Sequence, residues 1–177
     1  MALVDVVRTY LEITSESQLR PCDSPDPRAR VERVLGSPAS FFRYLYQEVG
    51  RDHSWLDRLV WSEEQLRQRL AEPRVSLHLL TLSAAPAGYF ELERHADDSV
   101  EIAYMGLLPE FRGRGLGGFL LSEGVREGWA TGASRVWLHT CTLDSPAALR
   151  NYLARGLRAF KQERYVTESP APGPSPG

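Results

Sequence analysis

Residues 107–121 read LLPEFRGRGLGGFLL. The apolar run up to Leu108 is strand-like, Pro109 stops it, and a cluster of arginine and glycine leads directly into an apolar helix-forming stretch. Gly113, Gly115, Gly117 and Gly118 remove side chains where a backbone could come close to a ligand. The first amides of the new helix, from Gly115 and Leu116 onward, lack intrahelical acceptors and sit at the positive end of the helix dipole. Arg112 and Arg114 add charge-assisted donors of the kind that grip phosphate. The combination favours a pyrophosphate. It is not a dinucleotide-binding βαβ turn, because the turn comes late and the acidic residue ending the next strand, Asp144, lies roughly ten residues too far on. The P-loop pattern is also missing.

The flanks give the rest of the architecture. Before the turn, Val75 to Leu82, Tyr89 to Arg94 and Val100 to Leu108 are short β-rich runs separated by Pro86-Ala87-Gly88 and Asp97-Asp98, which predicts an antiparallel meander. After it, Gly115 to Trp129 reads as a helix with Gly117, Leu121, Val125 and Trp129 along one stripe. Arg135 to Thr142 is a strand, Ser145-Pro146 opens a helix that Gly156 ends, and Ala159 to Val166 is a last strand. Towards the amino terminus, Val4 to Ile13 is a strand and Arg20 to Arg30, with three prolines, is a loop. Ser37 is expected to cap a helix with Pro38 in its first position, and Gly50 to end it in a left-handed conformation. Ser62 and Gln65 form a capping box for a second helix. The order β-α-α-β-β-β-α-β-α-β describes one α+β domain, a mixed and mostly antiparallel sheet flanked by helices. It spans residues 1–166, and TESPAPGPSPG, from Thr167 to Gly177, is expected to be disordered.

Composition narrows the function. The chain has 177 residues, enough for one domain with a sizeable core, and a formal net charge of -2. There is thus no global attraction to nucleic acid or to an anionic membrane. No apolar run approaches a membrane span, and the opening MALVDVVRTYLEI does not read as a signal peptide. Cys22 and Cys141 match no metal spacing, nor do His53, His78, His95 and His139, so no metal is expected. A reduced, cytoplasmic setting is the simpler reading of two distant cysteines.

Arg112-Gly113-Arg114-Gly115-Leu116-Gly117 resembles the [Q/R]-x-x-G-x-[G/A] signature of the GNAT acetyltransferases. EIAYMGLLPEF before it looks like their fourth strand, and RVWLHTCTLDSPAALRNYLARGL after it looks like their fifth strand and next helix. The resemblance is strong from about Tyr89 to Tyr165, within a cofactor half of about 75–166, and weak before Val75.

The resemblance implies acetyl-CoA as co-substrate, its pyrophosphate on the backbone of Arg112, Gly113, Arg114, Gly115, Leu116, Gly117 and Gly118. It implies that the fourth and fifth strands splay around the pantetheine, with Met105, Gly106 and Leu107 touching it and Leu107 nearest the acetyl end. Glu101 corresponds to the family's fourth-strand base and should share a face with Ala103 and Met105; Asp144 and Tyr104 compete for that role. Tyr152 corresponds to the tyrosine that protonates the departing sulfur. Ser145 stands where the family often has asparagine, so Ser145 and Asp144 inherit a weaker pantetheine contact. The aromatic segment FFRYLYQEVGRDHSWLDRL should wall the acceptor pocket. The expected reaction is direct acetyl transfer to a primary amine of a small molecule or peptide, with a non-catalytic acyl-CoA sensor as the alternative. A homodimer is compatible with all of this.

Overall fold

The computed structural model describes residues 2–53 and 55–169. Seven strands form one sheet: β1 (Ala2–Ile13), β2 (Ala29–Val34), β3 (Val75–Leu82), β4 (Ala85–Arg94), β5 (Val100–Leu107), β6 (Val136–Cys141) and β7 (Arg158–Ser169). The spatial order is β2-β3-β4-β5-β6-β1-β7, and every neighbouring pair is antiparallel except β5 and β6. Helices α1 (Ala39–Gly50) and α2 (Glu63–Ala71) precede β3, α3 (Leu116–Ala130) joins β5 to β6, and α4 (Pro146–Ala154) joins β6 to β7.

Two apolar clusters hold the layers together. Leu116, Leu120, Leu121 and Val125 of α3 pack with Leu11, Phe90, Ile102 and Leu138 on one side of the sheet. Phe42, Leu45 and Val49 of α1 pack with Leu66, Leu77 and Tyr89 on the other. Each of these side chains is at most 4% exposed, so each contributes up to about 1.5–3 kcal/mol of burial.

Local signals hold where they are complete. Ser62 Oγ accepts from the Gln65 amide at 3.1 Å and Gln65 Oε1 accepts from the Ser62 amide at 2.8 Å, the capping box in full. Ser145 caps α4 by accepting from the Ala147 amide, with Pro146 in the first turn. The start of α1 differs from expectation. Pro38 itself is the N-cap residue, with ψ at 141°, and no side chain caps the helix. Gly50 differs too, remaining within the helix. A Cβ there would lie 2.5 Å from the Cβ of Trp55, so glycine serves close packing and not a left-handed turn.

One strand, β2, is absent from the expected order, and another, β7, runs beyond its expected boundary. β2 lies within and after the proline-rich stretch read as a loop, pairing Ala29 with Leu82 through Val34 with Leu77 at the edge of the sheet. Its alternation is only a few residues long, and the prolines just before it mask the signal. β7 continues through Thr167 and Glu168 to Ser169, opposite Val4, Leu3 and Ala2. Side-chain composition gave these three residues nothing to bury, but pairing with β1 satisfies backbone groups instead. The remainder of the tail, residues 170–177, lies outside the described residues.

Candidate active site

β5 and β6 run parallel and are paired only at Val100–Val136 and Glu101–Trp137. Beyond those two pairs both strands continue without bonding to each other, β5 to Leu107 and β6 to Cys141. A cleft of about 990 Å³ opens between them. It is lined by β5 from Glu101 to Leu107, by Leu138, His139 and Cys141 of β6, by the glycine turn, and by Asn151 and Tyr152 of α4.

The glycine turn ends the cleft at α3. Gly113 and Gly115 have φ of 72° and 77°, and Gly115 is the helix N-cap, with no side-chain cap. The first-turn amides of Leu116, Gly117 and Gly118 therefore face the cleft without an intrahelical acceptor. The carbonyls of this turn are pinned instead: Asn151 Nδ2 donates to Gly117 O at 3.1 Å and Ser122 Oγ donates to Gly118 O at 2.7 Å. The proline-rich loop lies beside the helix start, where the Cys22 amide donates to Ser122 Oγ.

Arg112 does not extend toward that anion site. Its guanidinium donates to Asp52 Oδ2 at 2.7 Å and to Val49 O at 3.0 Å, which ties the glycine turn to the end of α1. Arg114 stacks over Phe111 at 5.2 Å and has no acidic partner among the described residues. Of the two arginines, only Arg114 keeps a side chain free for phosphate.

A bulge in β5 reorders its faces. Glu91 pairs with Tyr104 and Leu92 with Ile102, leaving Ala103 out of the ladder. Glu101 and Tyr104 therefore share a face despite odd spacing, while Met105 packs with the α3 cluster on the opposite side. This corrects the alternation that placed Glu101 with Met105. Chain direction also reverses the expected order along β5. Leu107 is at the glycine-turn end, and Ala103 and Tyr104 lie at the deep end, where the strands join.

Glu101 sits at that junction, 14% exposed. Its Oε2 is 2.9 Å from His95 Nε2, and its Oε1 is 4.0 Å from His139 Nε2. Burial raises the Glu101 carboxyl above the usual range, and the His95 imidazole pulls it part of the way back. Burial and the charge of Arg8 lower the His139 pKa. Glu93, His95 and Glu101 bring their ligand atoms within 4.8 Å of one another, a grouping that linear spacing did not reveal. Glu93, however, is already engaged by Arg69 and Arg74.

Tyr152 is 8% exposed, on α4, and packs within the α3 cluster. Burial raises its hydroxyl pKa, with the nearby Asp144 charge adding to the effect, so the group stays a proton donor. Asp144 is a structural acceptor: its Oδ2 takes hydrogen bonds from Thr140 Oγ1 at 2.7 Å and the Cys141 amide at 2.9 Å. Cys22 and Cys141 are both free, and burial beside Asp144 keeps the Cys141 thiol protonated.

The amino-terminal aromatic segment divides in two. Phe42 and Leu45 are core. Tyr46 and Trp55 meet Tyr104 at ring distances of 5.2 and 5.0 Å and line the cleft. Beneath them Arg58, 6% exposed, pairs with the fully buried Glu91 and lies 4.4 Å over the Tyr104 ring. Arg69 bonds the same carboxylate at 2.7 Å. The sequence groups Arg58 with the aromatic segment but does not reveal its ion pair, and Arg69 gives no signal, because their shared partner is on a strand more than twenty residues away.

Residues 37–157 match the acetyltransferase (GNAT) family. The mycothiol acetyltransferase of Nocardia farcinica is 32% identical over 132 residues, covering 74% of this chain and 41% of that protein. The chain thus spans less than half the length of this relative. Among solved structures, a GCN5-related N-acetyltransferase from Sphaerobacter thermophilus aligns over 91% of this chain and 50% of its own, with a TM-score of 0.68 at 19% identity. One from Kribbella flavida aligns over 93% and 58%, with a TM-score of 0.66 at 18% identity. With the splayed strands, the glycine turn and these matches in agreement, the chain belongs to the GNAT family of acetyltransferases.

Proposed function

We propose that this protein moves the acetyl group of acetyl-CoA directly to a primary amine of a small molecule or peptide. The observation that carries this reading is the wedge between β5 and β6, opening at one end onto the uncapped first turn of α3. That shape fits the co-substrate. The free amides of Leu116 to Gly118 suit a pyrophosphate, and a Cβ on Gly117 or Gly118 would stand against Asn151 or Arg155 where the cradle is now open. The edge of β5 turned away from β4, at Met105 to Leu107, offers backbone groups to the pantetheine. Acetyl-CoA would supply the thioester whose acetyl group is transferred.

The residues at the deep end supply the proton chemistry. An alkylamine has a pKa of roughly 10, so it must lose a proton before it attacks. Glu101 takes that proton in this reading, supported by its position at the closed end of the cleft, with His95 bonded to its other oxygen and partly open to solvent. Tyr104, Tyr46 and Trp55 wall the approach and favour an ammonium group over their rings. Tyr152 is the donor for the leaving sulfur. Ser145 and Asp144 hold the turn between β6 and α4, which sets where Tyr152 stands. A protonated Cys141 thiol is a poor nucleophile, which favours direct transfer over an acyl-enzyme. Among the described residues no helix is long and apolar enough to cross a membrane. A cytoplasmic setting remains the simplest for two free cysteines.

Two measurements test the reading. Acetyl-CoA should raise the melting temperature, and thiol should be released steadily with a member of an amine panel. No protection overturns the co-substrate assignment. Protection without thiol release on any amine points to an acyl-CoA sensor instead.

A further inference from the structure

Four arginines line the cleft: Arg8, Arg58, Arg69 and Arg112. Three are matched by carboxylates, Arg58 by Glu91, Arg69 by Glu91 and Glu93, and Arg112 by Asp52. Arg8, on β1, has no carboxylate at ion-pair distance among the described residues. Its Nε is buried with no hydrogen-bond partner among the described residues, its Nη2 donates to Tyr165 Oη at 3.3 Å, and its guanidinium lies 5.0 Å over the Tyr165 ring. Glu163 is its register partner on β7, but that carboxylate is taken by Lys161 and by Tyr10 Oη at 2.8 Å.

A buried guanidinium N–H without an acceptor is costly, and a cleft that pairs every other arginine leaves this one for something that enters. Cross-strand register shows where it stands. Glu101 is opposite Trp137, Tyr10 opposite His139, and Arg8 opposite Cys141. Cross-strand partners share a face, so Arg8 lies on the same face as Glu101 and His139, further along β6 toward α4. The Tyr165 hydroxyl accepts from Arg8 and keeps its own proton free to donate, and Thr167 of the same strand face also lines the cleft. Donors with one positive charge suit a carboxylate.

We infer that the acceptor carries a carboxylate besides its amine, as an amino acid or a peptide does, and that Arg8 with Tyr165 receives it. This rests on the acetyltransferase reading of the cleft and deepens it. The amine is held at Glu101 while the carboxylate reaches along β6 to Arg8. The four-residue step from Trp137 to Cys141 spans about 13 Å of strand, a distance that two long side chains reaching toward each other reduce to that of a small zwitterion or a short peptide.

The test uses pairs of acceptors that differ only at the anion: amino acids and their carboxamides, and dipeptides and their terminal amides. The parent should favour the acid of each pair by at least about tenfold in kcat/KM, the effect of one hydrogen bond to a charged group. In Arg8→Gln that preference should collapse toward one, through a higher KM for the acid, while KM for acetyl-CoA stays at the parent value. Arg8→Lys should restore part of it. Equal use of acid and amide by the parent overturns the inference but leaves acetyl transfer standing, as does a preference that survives Arg8→Gln. Absence of transfer to every member of both series, while another amine of the panel is acetylated, overturns this inference alone; absence of transfer to every amine overturns the transferase reading, and this inference falls with it.

Discussion

His95 Nε2 lies 2.9 Å from Glu101 Oε2, at the level where β5 and β6 cease to pair. One group of this pair opens to solvent and the other to the cleft, with side chains 33% and 14% exposed. The imidazole can therefore pass on a proton that the carboxylate takes up, and it also sets how readily the carboxylate takes it.

Activity should consequently fall on the acid side. Glu101 must be ionised to act, and burial raises its pKa above the ordinary carboxyl value. The acid limb of kcat/KM should therefore lie above the range of an exposed glutamate. Because the His95 hydrogen bond lowers that pKa, His95→Ala should move the limb to higher pH. Glu101→Gln should reduce turnover roughly 10²–10⁴-fold and abolish the limb. A limb that stays in place in His95→Ala removes the coupling between the two groups.

The glycine turn gives a prediction in which stability and binding move in opposite directions. Gly117 is in the first turn of α3, and a Cβ there would meet Asn151 Nδ2 at 3.7 Å, an ordinary contact. Gly117→Glu should thus be tolerated by the fold. An acidic group at a helix N-terminus typically adds about 0.3–1 kcal/mol, and a helical glycine costs about 1 kcal/mol relative to other residues. The melting temperature should hold or rise. The same carboxylate stands where the pyrophosphate belongs, so coenzyme A affinity by calorimetry should drop at least about tenfold, the penalty of a like charge displacing one charged contact. Unchanged affinity would take the pyrophosphate away from this turn.

The features that were legible in the sequence are local ones. The capping box of α2, the Ser145-Pro146 start of α4 and the glycine turn each depend on residues within one helical turn. The features that were not legible depend on distant pairing. β1 reads as a strand, but nothing in Val4 to Ile13 says that it lies between β6 and β7. The bulge at Ala103 is set by where β4 and β5 meet, and it decides that Tyr104, and not Met105, stands beside Glu101. Arg112 reads as a phosphate ligand until Asp52 is seen to hold it. Arg8 gave no signal at all, because its significance is the lack of a carboxylate partner among the described residues.

His78 predicts an acid-sensitive fold. It is 3% exposed, stacked on Phe90 with an interplanar angle of 11° and hydrogen-bonded to Ser76 Oγ at 3.0 Å. Burial, with Arg33 adding to it, lowers its pKa to about 4. The folded pKa is below the unfolded one, so the unfolded chain binds the proton first. The stability of the neutral imidazole is complete above the unfolded value of about 6.5 and is lost as pH falls toward 4. Linkage puts the full loss on the order of 3 kcal/mol, at about 1.4 kcal/mol for each pKa unit. Urea unfolding at pH 7 and pH 4.5 should show a smaller difference in His78→Phe than in the parent. An equal difference in both would assign the acid sensitivity to other groups.

Tyr152 carries the most specific mechanistic prediction. Its ring is part of the α3 cluster, its backbone carbonyl accepts from the Leu157 amide at 3.1 Å, and its side chain lines the cleft. Tyr152→Phe keeps the ring and removes only the hydroxyl, so the melting temperature should change little. Burial holds the hydroxyl protonated far above neutral pH, which is the state a proton donor needs. If it protonates the departing sulfur, its loss should cost roughly 10²–10⁴-fold in kcat. Affinity for acetyl-CoA should be preserved, because the turn at Leu116 to Gly118 and the edge of β5 are untouched. Low turnover with intact binding marks an interaction made chiefly in the transition state. A weakly basic leaving thiol sharpens the result: thioesters with electron-poor thiols need less protonation, so the deficit of Tyr152→Phe should shrink with them. A variant that turns over within about threefold of the parent on acetyl-CoA, with the chemical step rate-limiting, would return Tyr152 to a packing role and assign the proton to water.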